Sequence, residues 1–127
     1  MEKEKIGLVV LMLLFLVTIT CCRTESVEAL KISRLTNKVG EVPVSDSISV
    51  SFKVKNCSKD TLTVRLMPEC DCTTVSVEEV VLLPRDKVSV DARVMLDRVG
   101  DFQKYIFVQT VGTEEFYTVE IGGSAVE

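Results

Sequence analysis

The chain has 127 residues, 15 Lys and Arg against 19 Asp and Glu, a net charge of −4, and no histidine. This length holds one domain of ordinary size. The acidic balance excludes a nucleic-acid binder that works by phosphate neutralisation, and the missing imidazole excludes Ser-His-Asp, Cys-His and every histidine-containing metal site.

In chain order, the first element is a short charged start followed by Ile6 to Cys22, a run of 17 residues without a charge. It raises the mean hydropathy to +0.29. At about 1.5 Å per residue the run reaches about 25 Å as a helix, short of the roughly 30 Å hydrocarbon core, so residues 1–22 read first as a secretory signal, with a signal-anchor helix as the alternative. The run ends on two cysteines, and its pattern resembles a bacterial lipoprotein signal. Cys21 and Cys22 are therefore the lipidation candidates, with Ile19 and Thr20 suiting Cys22, while Val27-Glu28-Ala29 offers a different cleavage point. Every version of this reading places the protein in a bacterial cell envelope, exported, and in most of them membrane-anchored.

Residues 23–29 are polar and aperiodic and read as a tether. Residues 30–127 have the composition of strands: after Cys22 there are 19 Val, 4 Ile and 9 Thr but only 3 Ala. Ile48, Val50, Phe52 and Val54 alternate with polar residues, as do Leu62, Val64 and Leu66 with Thr63, Arg65 and Met67. Val88, Val90, Ala92, Val94 and Leu96 continue the period, and Ile106 with Val108, then Tyr117, Val119 and Ile121, supply two further strands. Turn residues separate the strands at Asn56 to Asp60, Pro84 to Asp86, Asp97 to Asp101 and Val111 to Thr113. The spacing predicts an all-β antiparallel sandwich of about seven strands. Its expected core is Val50, Phe52, Val54, Leu62, Val64, Leu66, Val90, Val94, Val108, Val119 and Ile121.

Cys70-Asp71-Cys72 is the one constellation that suggests chemistry. Two thiols two residues apart on a strand share a face, and the first reading is structural: two small apolar groups, either a local disulfide or a buried dithiol. Thiol exchange and soft-metal binding are the alternatives. A closed zinc site lacks ligands here, so no metal and no cofactor is expected. If Ile48 to Asn56 and Leu62 to Cys70 form one hairpin, Cys57 sits at its turn, about 26 Å from Cys70, and stays unpaired. Asn56-Cys57-Ser58 fits a glycosylation acceptor, although a turn is the first reading. Glu78-Glu79 and Glu114-Glu115 are adjacent, hence on opposite faces of any strand, and do not form a working carboxylate pair.

Phe52 to Asn56, Cys70-Asp71-Cys72-Thr73, Leu83-Pro84 before Val88-Ser89-Val90, Gly100 to Lys104, and Ile121-Gly122-Gly123 together resemble the bacterial domain-of-unknown-function family numbered 1573, from about Gly40 to Val126. That family is similar to Hydin-type immunoglobulin-like domains and, more distantly, to major sperm protein. Asp71 stands where the family usually has Gly, Arg85 where a Gly commonly follows the Pro, and Cys57-Ser58 where the turn usually carries Gly. The resemblance makes the antiparallel sandwich immunoglobulin-like, implies the envelope location and brings no reaction with it. The functional expectation is a non-catalytic, exported or lipid-anchored protein that binds another envelope protein through an edge strand or end loops. The alternative is a thiol-redox or soft-metal-handling protein using Cys70 and Cys72.

Overall fold

The computed structural model describes residues 2–17 and 28–127. Helix α1 (Glu2–Val17) is followed by nine strands: β1 (Leu30–Ile32), β2 (Thr36–Pro43), β3 (Ser47–Asn56), β4 (Leu62–Pro68), β5 (Thr73–Val75), β6 (Glu79–Leu82), β7 (Lys87–Met95), β8 (Gly100–Thr110) and β9 (Phe116–Val126). From Ile6 to Leu14 the large apolar side chains of α1 are exposed. Among the described residues no helix is long and apolar enough to cross a membrane.

The strands form two stacked sheets, one of four in the order β1-β3-β7-β5 and one of five in the order β2-β9-β8-β4-β6. The inward positions are those the period-2 pattern selects. Phe52, Val54, Val64, Leu66, Val90, Val94, Val108, Val119 and Ile121 are buried, while Val50 and Leu62 pack half-buried against them. Leu30, Ile48, Leu82, Ala92, Leu96, Ile106 and Ala125 complete the core.

Three expectations need correction. Among the described residues there are nine strands rather than about seven, because β1 and β5 have three residues each and are too short to show a period. The sandwich is not wholly antiparallel, since β2 runs parallel to β9 from Thr36↔Glu120 to Pro43↔Val126. Alternation is broken in β2 by a register shift between Lys38 and Glu41, and its inward position at Asn37 is polar. That side chain is satisfied by donating to the carbonyls of Arg34 and Glu120.

The third correction concerns β3 and β4, which do not form a hairpin. β3 pairs with β1 and β7, whereas β4 pairs with β6 and β8 in the opposite sheet. The chain therefore crosses the sandwich at residues 57–61. It crosses again at every connection from β4 to β8, while β8 and β9 are a true hairpin with Gly112 at φ 91° in its turn.

Phe52 is the largest fully buried side chain. Phe52→Ala is expected to cost about 3–5 kcal/mol by loss of burial plus cavity formation, and Lys53→Ala, on the exposed face, to stay within about 0.5 kcal/mol. Urea denaturation of both variants checks the face assignment, and equal losses would contradict it.

Candidate functional site

The two ends of the sandwich are built differently. One is closed by Asn56, the last residue of β3, which is fully buried. Its Nδ2 donates to the carbonyls of Asp60, Leu82 and Leu83 at 2.7, 3.0 and 3.2 Å. Its Oδ1 accepts from the N–H and the hydroxyl of Ser58 at 2.9 and 2.7 Å. The main chain takes part as well, with Asn56 N–H donating to Asp86 O and Arg85 N–H donating to Asn56 O. One side chain thus fastens the two crossings at this end. With its nitrogen occupied by three carbonyls and no surface exposed, Asn56 serves the turn and is not a glycan acceptor in the folded protein.

Beside it, Asp86 N–H donates to Leu83 O at 2.9 Å and Arg85 sits at φ 68°. A Pro at the second position and a positive φ at the third are the marks of a type II turn, whose third position favours Gly. Arg85 occupies a glycine position and carries the strain of a Cβ in the left-handed region.

Cys57 is a free, half-buried thiol at this same end, its N–H donating to Ala29 O. Cys70 and Cys72 are at the other end, past the full length of β4, about 20 Å away at 3.3 Å per residue. The separation comes from β4 crossing the molecule, not from a β3-β4 hairpin. Cys70 and Cys72 are joined by a disulfide with Cα atoms 5.1 Å apart. They lie in a turn between β4 and β5 rather than on a strand, so strand parity does not place them in the core, and both are half-exposed. Cys21 and Cys22 lie outside the described residues. Among the described residues no three His, Cys, Asp or Glu side chains gather as a metal site.

A further surface escaped the sequence reading. The outer face of the five-stranded sheet carries Met67 on β4, Phe107 on β8 and Phe116 on β9. Met67 pairs with Phe107, and the Phe107 and Phe116 rings meet edge to face with centroids 5.9 Å apart. Phe116 is 60% exposed. A surface ion pair, Arg65 to Glu79 at 3.2 Å, borders the patch, and beyond it the edge strand β6 exposes Val81, also at 60%. The signal was present in the sequence as apolar residues at the polar parity of their strands, Met67 opposite Leu66 and Phe107 between Ile106 and Val108. The other edge of this sheet, β2, is guarded by Lys38, Glu41, Pro43 and its bulge, all of which discourage an added strand. Inside that edge Gly123 has no room for a side chain, since a Cβ there would lie 2.6 Å from Gly40 O and 2.7 Å from Val39 Cγ2.

Comparison with known proteins agrees with this architecture. A family described as "Protein of unknown function (DUF1573)" matches residues 30–125. No curated protein matches the chain. Among solved structures, the ASH / PapD-like domain 7 of human CEP192 is similar with a TM-score of 0.64 at 9% identity, covering 78% of this chain and 86% of that one. A protein of unknown function from Porphyromonas gingivalis W83 gives 0.65 at 15% identity over 77% and 48%. The class 5 fimbriae chaperone CfaA gives 0.60 at 10% identity over 77% and 57%. The chain spans about half the length of the last two, and identities this low establish a shared fold alone.

Two predictions follow from the Asn56 end. Asn56→Ala is expected to cost about 1–3 kcal/mol by removing the donor to three carbonyls, of which that of Leu82 is buried. Asn56→Asp, nearly the same shape, is expected to cost at least as much, because a carboxylate cannot donate to them. Arg85→Gly is expected to stabilise the fold by about 0.5–1 kcal/mol, the relief of a left-handed Cβ less the entropy Gly adds to the unfolded chain. Denaturant midpoints of the three variants test both.

Proposed function

The chain belongs to the DUF1573 family, and from that premise we propose that it is a non-catalytic envelope protein, exported and held at the membrane by its N-terminal segment, whose sandwich binds another envelope protein. The observation that carries the reading is the Met67, Phe107 and Phe116 patch. Half-exposed or exposed aromatic and Met side chains on a rigid sheet face are a common form of protein-binding surface, since they bury large area with little loss of side-chain freedom. The neighbouring β6 edge offers main-chain groups and the exposed Val81 to the same partner, a geometry suited to strand addition.

Fold likeness to a fimbrial chaperone supports a binding role without naming what is bound. The uncharged run from Ile6 to Cys22 supports export, and Cys21 or Cys22 supplies the lipid attachment point. A soft-metal role has less support, because in the disulfide form neither Cys70 nor Cys72 offers a thiolate.

The test uses membranes that carry the full chain, with chemical cross-linking and identification of the captured protein. Phe116→Lys and Met67→Lys, both at outward positions, are expected to keep the fold by circular dichroism and to reduce capture by about tenfold or more, as for loss of a central anchor. Capture of the same protein at parental yield by both variants would remove the face from consideration. Fatty-acid labelling is expected at Cys21 or Cys22, and an unlabelled protein that stays in the membrane would favour an uncleaved anchor helix.

A further inference from the structure

The disulfide end carries chemistry that the sheet face lacks. The turn that holds Cys70 and Cys72 is fixed by main-chain bonds on both sides of the sulfurs: Glu69 N–H donates to Tyr105 O, Thr73 N–H to Cys70 O and Met95 N–H to Cys72 O, at 3.0, 3.0 and 2.9 Å. None of these three bonds uses a sulfur. Both cysteines line an open cleft of about 500 Å³. Met95 and Val99, exposed by 65% and 54%, are apolar members of its lining, as is Phe102. The charges in the wall are balanced, with Asp97 and Asp101 against Arg98 and Lys104. A cleft without net charge, apolar in part and set beside a half-exposed disulfide, fits an unfolded polypeptide segment whose cysteines are flanked by uncharged residues.

We infer that the Cys70–Cys72 disulfide is a thiol–disulfide exchange centre that accepts electrons from a cysteine-containing polypeptide dithiol seated in this cleft. The inference is independent of the sheet-face reading. The two sulfurs are not equivalent, because Cys72 N–H donates to Cys70 Sγ at 3.1 Å, whereas the Thr73 hydroxyl is 3.7 Å from Cys72 Sγ. Charge developing on Cys70 is the better stabilised, so Cys70 is the leaving thiolate and Cys72 the sulfur attacked.

In the first step a substrate thiolate bonds to Cys72 Sγ, the Cys70–Cys72 bond breaks, and its electron pair stays on Cys70. In the second step the other substrate thiolate attacks its own sulfur in the mixed disulfide, and the electron pair leaves on Cys72. The two protons of the substrate thiols end on Cys70 and Cys72. The substrate is oxidised by two electrons and the protein reduced by two, one disulfide per chain, which is stoichiometric exchange rather than turnover.

The experiment mixes the oxidised full chain with a reduced synthetic peptide carrying two cysteines flanked by Leu and Phe, quenches with an alkylating agent, and maps the products by mass spectrometry. The expected result is one peptide disulfide per chain, an intermediate with peptide on Cys72 and alkylated Cys70, and a rate at least about tenfold above that of an isolated disulfide-closed peptide of residues 69–74. Val99→Asp, at an exposed position, is expected to slow the reaction with the peptide by about tenfold and leave reduction by dithiothreitol unchanged. Phe116→Lys is expected to leave both unchanged, which separates this site from the sheet face. A rate no higher than that of the isolated peptide, or insensitivity to Val99→Asp, would overturn the exchange centre. Peptide found on Cys70 instead of Cys72 would overturn the assignment of the attacked sulfur.

Discussion

The fold depends on a buried carboxamide. Two sheets packed face to face share a hydrophobic interior, but apolar contact is non-directional and does not decide where the chain crosses from one sheet to the other. Asn56 decides it at one end. Its side chain is the right length to satisfy three carbonyls and two donors of Ser58 at once, and in a low-dielectric site the Leu82 carbonyl, whose bond is buried, loses most without it. The requirement is chemical as well as steric, because only an amide presents both donors and an acceptor there. Asp60, Leu82 and Leu83 are tied to β3 by this side chain and the Arg85 turn by the main chain of the same residue, so that β4, β6 and β7 start or end against Asn56.

The alternation of apolar and polar residues made the inward faces of β3, β4, β7, β8 and β9 legible, because burial on one face imposes a period of two whatever the neighbours are. It could not reveal which strands pair. β3 and β4 are separated by a five-residue polar turn that reads as a hairpin, and the fact that excludes the hairpin is Asn56 turning inward to bind carbonyls near 82 and 83, a contact distant in sequence. Similarly, β2 was hidden because its bulge spoils the period and its inward Asn37 is polar. The Cys70 and Cys72 pair was legible as a motif, but its parity argument assumed a strand where the chain has already begun to turn after Pro68. The outer-face patch lies in the same alternation, as apolar residues at the polar parity of β4 and β8, where a period of two alone marks them as solvent-facing.

Glycine positions show how unequal the local constraints are. At residue 123 the constraint is steric: the parallel neighbour's bulge at Gly40 and the Phe102 ring approach so closely that a Cβ finds no space. At residue 85 the constraint is torsional only, since the turn projects into solvent and any side chain has room. An exposed left-handed position tolerates Arg at a modest cost in strain, whereas a crowded one does not tolerate even Ala without shifting backbone. That difference explains why the chain keeps Gly123 and departs from Gly at 85 without losing the turn, whose Leu83 to Asp86 bond is intact.

Strand β4 joins the two regions of functional interest. Its outward residue Met67 belongs to the sheet-face patch, and Pro68, next in the chain, ends the strand and leads into the turn that carries Cys70 and Cys72. The rest of β4 is held on both sides, by β8 and by β6, and its start is tied to the Asn56 end through Asp60 and Leu82. Rigidity is therefore concentrated where the carboxamide closes the sandwich, and the opposite end is left with a half-exposed sulfur pair in a turn held by main-chain bonds. A disulfide used only to brace the fold gains most by closing a long loop. One that spans two residues constrains the unfolded chain very little, so the stability of this end comes from the strands around it, and the sulfurs are free to change partners without unfastening the sheets.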